Sequence, residues 1–387
     1  MSTLSPIIDH AALVPANPSV YISLPTNPQN ILPALEGREL NVYFDACIWA
    51  SVPLSQLCID VSCSKGAQFE RWWRYTPTSG DSGSTTFTLA VYTKNRSTLL
   101  ASAAATLKTV ALTHPTSGVS RKLLMIGDST WANGKVAAEL VNLFTGDSKY
   151  TLTLAGSNDG SVNDSSAVSR SVRVEAISGW SIEKFTTDAS TAWTEIGGTA
   201  RTGSPFSFSG EFNFASYLSA QSITMASGDW VLINLGINDV FPFTDSVTLQ
   251  TTIATMASRL AAWITSIKSA VAGVRIGICI TIPPASSQDA FGANYGCGQT
   301  LLRYEQNLRL WRNAITANHD ASVSANVFVI PYHVALDRVN NITTSTVALS
   351  ARNAATYAQQ NDGVHPGNAG YWQLADLLRA YLKAVES

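Results

Sequence analysis

Lys122-Leu123-Leu124-Met125-Ile126-Gly127-Asp128-Ser129 is the stretch that decides the fold: an apolar run ends abruptly in a glycine, an acid and a serine. A short continuous apolar run closed by a turn signal reads as a strand buried on both faces, as in a parallel sheet covered by helices. The same grammar repeats downstream. Strands are expected at Lys122–Ile126, at either Thr151–Ala155 or Val172–Ile177, then at Trp230–Leu235, Arg275–Ile280 and Val327–Pro331. Helical spacing is found at Lys135–Phe144, Thr251–Val271, Leu301–Ala317 and Ala369–Ala384, the last with Leu374, Leu377, Leu378 and Leu382 in register. Strands alternating with helices predict an α/β fold, and Ser129 then lies beyond the carboxyl end of a strand, where open parallel sheets bind ligands.

Before this region the pattern differs. Residues 18–113 alternate apolar with Ser and Thr positions, as in Leu40–Phe44 and Thr86–Tyr92, which predicts a β-sandwich. Trp73-Arg74-Tyr75-Thr76-Pro77, Asp81-Ser82-Gly83 and the Phe87–Tyr92 strand resemble bacterial immunoglobulin-like modules. For 387 residues two domains are expected, a smaller all-β accessory domain over 1–117 and a catalytic domain over 118–387.

A net charge of -2 without a Lys or Arg run argues against nucleic acid as a partner. With 13% charged and 45% apolar residues the chain reads as a well-buried globular enzyme. Met1-Ser2-Thr3-Leu4-Ser5-Pro6 has neither the basic nor the apolar part of a secretory leader, and no stretch is apolar for the roughly 18 residues of a membrane span. Synthesis in the cytoplasm is expected, with the compartment of action and the oligomeric state left open. The five cysteines lack zinc-site spacing and read mostly as free thiols, with room for one disulfide among Cys47, Cys58 and Cys63.

The tripeptide Gly-Asp-Ser also occurs at Gly80-Asp81-Ser82 and Gly146-Asp147-Ser148, but only Ser129 follows an apolar strand and precedes a helical segment. A serine hydroxyl needs a base, and the base needs an orienting group. His365 lies in Asp362-Gly363-Val364-His365-Pro366, where Asp362 can accept the second ring proton; His10, His114, His319 and His333 have no such neighbour and read as surface or packing residues. Acyl transfer also needs oxyanion donors. They are expected from Asn238 in Gly236-Ile237-Asn238-Asp239, from the backbone of Gly179 in Ser178-Gly179-Trp180, and from the N–H of Ser129. Gly156-Ser157-Asn158-Asp159 fits the same G-x-N-D pattern but leaves no strand-end glycine ahead of it, so Asn238 is preferred.

Taken in order, these blocks identify residues 120–387 as resembling the SGNH, or GDSL, hydrolases. The resemblance implies a flavodoxin-like three-layer α/β/α domain, a serine esterase working through an acyl-enzyme, no cofactor and no metal. It implies Ser129, His365 and Asp362 as a triad and Ser129, Gly179 and Asn238 as an oxyanion hole. Trp131, Trp180, Phe241, Phe243 and Tyr295 crowd the expected rim, where they either cap the core or wall a sugar-stacking cleft. The loop from Pro284 to Gln299 is similar to one in carbohydrate-active and phage-tail members. A short-chain ester on a carbohydrate is the expected substrate; a lipase or thioesterase, or a glycan-binding adhesion protein, is the alternative.

Overall fold

The structure, a computed structural model, describes residues 18–386, so His10 and the segment read for a leader lie outside the described residues. Its centre is the strand Val119–Gly127, in which Leu123, Leu124, Met125 and Ile126 are fully buried. Such a strand must hydrogen-bond along both edges. On one edge lies Trp230–Asn234, followed outward by Arg275–Cys279 and Val327–Ile330, all parallel. On the other edge two strands share the work: Tyr150–Ala155 pairs with residues 119–124, and Ser169–Ala176 takes over beside Ile126 and Gly127. Both segments between which the sequence left a choice are therefore strands. Ser169–Ala176 also carries an antiparallel partner, Asn158–Asn163, which makes the sheet mixed.

Helices Lys135–Phe144 and Asn368–Val385 form one covering layer, and Ser246–Ala270 with Leu301–His319 the other. This is the expected three-layer α/β/α arrangement in the flavodoxin-like strand order. Among the described residues no helix is long and apolar enough to cross a membrane.

Residues 18–117 are all-β apart from short helical turns. Leu32–Leu35, Leu99–Val110, Gly83–Thr93 and Leu57–Ser62 make one sheet; Leu40–Tyr43, Trp72–Tyr75 and Ala67–Gln68 make the other. Buried Trp73 and Phe87 meet edge to face at 5.0 Å between ring centroids, so the two sheets pack as a sandwich. All five cysteines are free, in line with the reading as mostly free thiols, and the disulfide for which the sequence left room is not formed. Cys58 and Cys63 lie along one extended run, roughly 16 Å apart at about 3.3 Å per residue, while bridging needs under about 7 Å. Cys47 is buried, its thiol directed at the Tyr43 carbonyl.

The sandwich shares one continuous hydrophobic core with the α/β region. Leu32–Leu35, entirely buried, lies against the helix Asn368–Val385. Buried polar groups cross the same boundary: Ser23 Oγ meets His333 Nε2 at 2.9 Å, Asn30 Oδ1 accepts the Val329 N–H, and Arg312 donates to both the Ala46 and Thr281 carbonyls. His319 and His333 are buried packing residues, as expected, and His114 lies at the same boundary with its ring nitrogen 3.0 Å from the Glu386 carbonyl. Removing Leu32–Leu35 uncovers the apolar face of the helix Asn368–Val385 beneath them, a loss of roughly 5 kcal/mol of apolar burial, comparable with the whole net stability of a typical protein. A chain starting at residue 118 is therefore expected to aggregate or melt non-cooperatively in calorimetry. A soluble 118–387 chain that melts within a few degrees of the full chain would show that this shared core is dispensable.

Candidate active site

The turn that carries Ser129, the expected nucleophile, is built by the residue before it. Asp128 caps the short helix Ser129–Ala132, its Oδ1 accepting from Thr130 N at 3.0 Å and from Thr130 Oγ1 at 2.7 Å. Thr130 Oγ1 in turn accepts from Asn234 Nδ2 on the adjacent strand, which ties the turn to the sheet. Gly127 is required sterically, since a Cβ there would come within 2.9 Å of the Trp131 ring. Burial pushes the Asp128 carboxyl up to about 6. Ser129 is thus the first residue of the helix, and its N–H has no hydrogen-bond partner among the described residues.

Asp362 organises the opposite wall. Its Oδ1 accepts the backbone N–H groups of Val364 and His365 at 3.0 and 2.9 Å, and its carboxylate holds His365 Nδ1 at 2.9 to 3.0 Å. His365 Nε2 then lies 2.7 Å from Ser129 Oγ. The structure therefore brings Ser129, His365 and Asp362 into one hydrogen-bonded chain. Burial works against the charged imidazole, but the hydrogen bond and charge of Asp362, with a contribution from Asp128, outweigh it and raise the His365 pKa. Burial likewise raises Asp362, and is outweighed by the His365 ring and the two backbone donors, so this carboxyl is held below its ordinary value. The tight turn depends on Gly363, where a Cβ would approach Tyr295 to 2.7 Å.

Two further loops complete the rim. Gly179 has φ +76, is exposed, and has open space where a Cβ would stand. Its N–H, like that of Ser129, has no partner among the described residues. Asn238 donates one amide hydrogen from Nδ2 to the Trp180 carbonyl at 2.9 Å, which leaves the second hydrogen for a ligand. Asp239, pushed up to about 7 by burial, accepts the Ile182 N–H at 3.0 Å. The two loops are therefore cross-linked twice. A cavity of about 380 Å³ is lined by Ser129, Ser178, Gly179, Asn238 and His365 together with Ile237, Phe241, Tyr295 and Val364. Among the described residues no group of three or more His, Cys, Asp or Glu side chains could hold a metal ion.

Two of the expected rim aromatics are corrected. Trp131 and Trp180 are buried, Trp131 donating its Nε1 hydrogen to the Tyr332 hydroxyl and Trp180 packing edge-on against Phe185, so neither ring can stack on a ligand. Each follows a strand end and turns back into the core. Phe241 and Tyr295 do line the cavity, 4.7 Å apart in an edge contact. The segment read as a loop from Pro284 to Gln299 contains a helix, Gln288–Tyr295, that carries Tyr295 to this rim with the buried Phe291 packed against it. The other two Gly-Asp-Ser copies are structural, with Asp81 paired to Lys65 and Asp147 to Lys383. Asn158 is buried, bonded to the Ala176 carbonyl and the Ile196 N–H, and does not line the cavity around Ser129. Thr130, Asn234 and Asp239 were missed as supports; only Asp239, in the same block as Asn238, carried a sequence signal.

The GDSL-like lipase/acylhydrolase family model matches residues 123–378. No curated protein shows significant sequence similarity to the chain. Solved structures similar to it include a carbohydrate acetylesterase from Sinorhizobium meliloti, 12% identical over 69% of this chain and 100% of that one, TM-score 0.36. A carbohydrate esterase family 2 enzyme with its carbohydrate-binding domain, from Corynascus thermopiles, is 13% identical over 95% and 99%, TM-score 0.35. Phospholipase A1 from Streptomyces albidoflavus is 12% identical over 68% and 98%, TM-score 0.34.

The two asparagines separate experimentally. Asn238→Ala is expected to lower kcat for ester hydrolysis by roughly 10²- to 10³-fold with little change in KM. Asn158→Ala is expected to cost about 1–3 kcal/mol in a denaturant melt and to spare kcat by comparison. The reverse pattern would move the donor to the other block.

Proposed function

From the premise that this chain belongs to the GDSL-like lipase/acylhydrolase family and is a carboxylic ester hydrolase, we propose that it cleaves short acyl esters, acetyl first, on a carbohydrate, using Ser129, His365 and Asp362. The observation that carries the reading is the continuous hydrogen-bonded chain from Ser129 Oγ through the His365 ring to Asp362. In the first half-reaction His365 Nε2 takes the Ser129 hydroxyl proton as Oγ bonds to the ester carbonyl carbon. The carbonyl electron pair moves onto oxygen, opposite the N–H groups of Ser129 and Gly179 and the free amide hydrogen of Asn238. The intermediate collapses as the alcohol leaves with the proton from His365. Water then repeats the sequence on the acyl-enzyme, releasing the acid and restoring the serine. Asp362 keeps Nδ1 protonated and stabilises the transient imidazolium.

The acyl group is argued from the cavity. Ile237, Phe241, Tyr295 and Val364 offer an apolar surface around Ser129, but the site is open and exposes Gly179. A long chain gains little there, at about 0.8 kcal/mol for each methylene fully buried. Acetyl and butyryl p-nitrophenyl esters are expected to turn over faster than decanoyl or longer esters, and acetate is expected from acetylated glycans. A rate that climbs toward C8 and beyond, with no acetate released from any acetylated glycan, favours a lipase or thioesterase instead.

Ser129→Ala is expected to abolish hydrolysis, lowering kcat at least ~10³-fold, without loss of the folded state. Full turnover by the folded variant would remove Ser129 from the chemistry. Because His365 acts as a base only when neutral, and its pKa is raised, the acid limb of kcat/KM is expected to have its midpoint above the ordinary histidine value of about 6.5. In Asp362→Asn the raising partner is lost and burial remains, so the midpoint moves to lower pH while kcat falls roughly 10²- to 10⁴-fold. A limb unmoved by that substitution would dissociate Asp362 from His365 in catalysis.

A further inference from the structure

A second cavity, of about 370 Å³, adjoins the first and shares Ser178 and Gly179 with it. Gly179 stands where the two cavities meet, with open space where a side chain would stand. The far wall comes from a segment with no counterpart in the sequence expectations, the hairpin Ala192–Thr194 with Ala200–Thr202. Its lining is more polar than that of the first cavity: Lys184, Thr191, Thr194 and Ser178 lie around the half-buried indole of Trp193, beside the apolar Ile177 and Ile196 and the buried Trp180.

The hairpin is fixed in place. Asp188 accepts from the Ser190 and Thr191 N–H groups, Glu195 pairs with Arg201, and the Trp193 Nε1 hydrogen goes to the Gly203 carbonyl at 2.9 Å. Asn158 accepts from Ile196 N at 2.7 Å, and Gly197 N donates to the Asp159 carbonyl. Gly160 is bare where the hairpin docks, since a Cβ there would lie 2.6 Å from Gly197 N. The indole is therefore a preorganised wall with its polar atom already satisfied. The Lys184 amine and the Ser178 and Thr194 hydroxyls, by contrast, have no protein partner among the described residues.

We propose that this cavity binds the alcohol portion of the ester, that this portion is a polyhydroxylated ring, and that Trp193 is the surface on which the ring packs. The assignment rests on the ester-hydrolase reading above. An ester lying across Gly179 sets its short acyl group against Ile237, Phe241, Tyr295 and Val364 and its hydroxylated part among Lys184, Ser178 and Thr194. A sugar ring presents C–H faces to an aromatic wall and hydroxyls at its edge, which is the division of chemistry the cavity offers. Trp193 supplies the aromatic surface expected at the rim from Trp131 and Trp180, both of which are buried.

The experiment compares the full chain with its Trp193→Ala, Trp193→Phe and Thr194→Arg variants on glucose pentaacetate, acetylated xylan and p-nitrophenyl acetate. The readout is the ratio of kcat/KM on each sugar ester to that on p-nitrophenyl acetate. The ratio is expected to fall roughly 10-fold in Trp193→Ala, mainly through KM, and to be largely kept in Trp193→Phe. Thr194→Arg, an exposed position at the cavity wall, is expected to lower it as well, and decides the matter if Trp193→Ala does not fold. Wild-type release of acetate from the sugar esters with ratios unchanged in Trp193→Ala and Thr194→Arg overturns the cavity assignment alone. Equal losses in Trp193→Phe and Trp193→Ala with Thr194→Arg silent also overturn it, leaving the indole a packing residue. Wild-type activity on p-nitrophenyl acetate with none on either sugar ester overturns the carbohydrate reading beneath it.

Discussion

A strand buried on both faces cannot leave a backbone N–H or carbonyl unpaired along its length, so unpaired donors can stand only where strands stop. In this protein that constraint places the site. Val119–Gly127 is paired on one edge by Trp230–Asn234 and on the other first by Tyr150–Ala155 and then by Ser169–Ala176. The three loops that meet at the rim follow the ends of three of these neighbouring strands: Asp128–Ser129 after Gly127, Ser178–Gly179 after Ala176, Gly236–Asn238 after Asn234. The change of partner on the second edge is what allows the Gly179 loop to reach the serine, because Tyr150–Ala155 stops short and Ser169–Ala176 replaces it beside Gly127.

Holding those loops requires buried acceptors, and the chain uses carboxyls. Asp128 accepts from Thr130, Asp239 from Ile182, and Glu175 from Ser157 and Tyr217. Burial raises all three, to about 6, 7 and 7. Asp362 is the contrast, half-buried and held below its ordinary value by the His365 ring and two backbone donors. The carboxyl hydrogen-bonded to the histidine ring is the one held as an anion, while the buried ones sit where a proton is retained more readily, Asp128 adding only its charge to the raised His365 pKa.

This explains which parts could be read from residues alone. Apolar runs such as Leu123–Ile126 and Trp230–Leu235 announce doubly buried strands, and Lys135–Phe144 is a helix with the expected bounds. The Asp362–His365 pairing is local in sequence, so it was legible. What failed depended on direction or distant partners. Trp131 and Trp180 lie next to rim residues in sequence, but their side chains turn toward Tyr332 and Phe185, which no local pattern reveals. The long exposed hairpin Thr344–Ser350 with Asn353–Gln360 has the Ser, Thr, Asn and Ala content of a loop, so no strand was expected there. Asn158 fits the same block as Asn238 by composition, but the missing strand-end glycine already sets it aside in the sequence, and its two bonds are structural.

The additions to the α/β fold divide by where they attach. None of the described residues before Ser129 lines the cavity around it, so the sandwich reaches the site through the shared core and through cross-boundary bonds such as those of Arg312, Asn30, Ser23 and Arg71. The Ala192–Thr202 hairpin is different, because it is mechanically joined to the Gly179 loop. Asn158 holds the hairpin through Ile196 N and the end of the Ser169–Ala176 strand through the Ala176 carbonyl, three residues before Gly179. Moving either element without the other breaks a buried hydrogen bond, at a cost of about 1–3 kcal/mol. That same order of energy separates a good substrate from a poor one. With the hairpin as the proposed substrate wall and the Gly179 loop as the proposed oxyanion donor, the tie between them places recognition to act on rate as well as on binding.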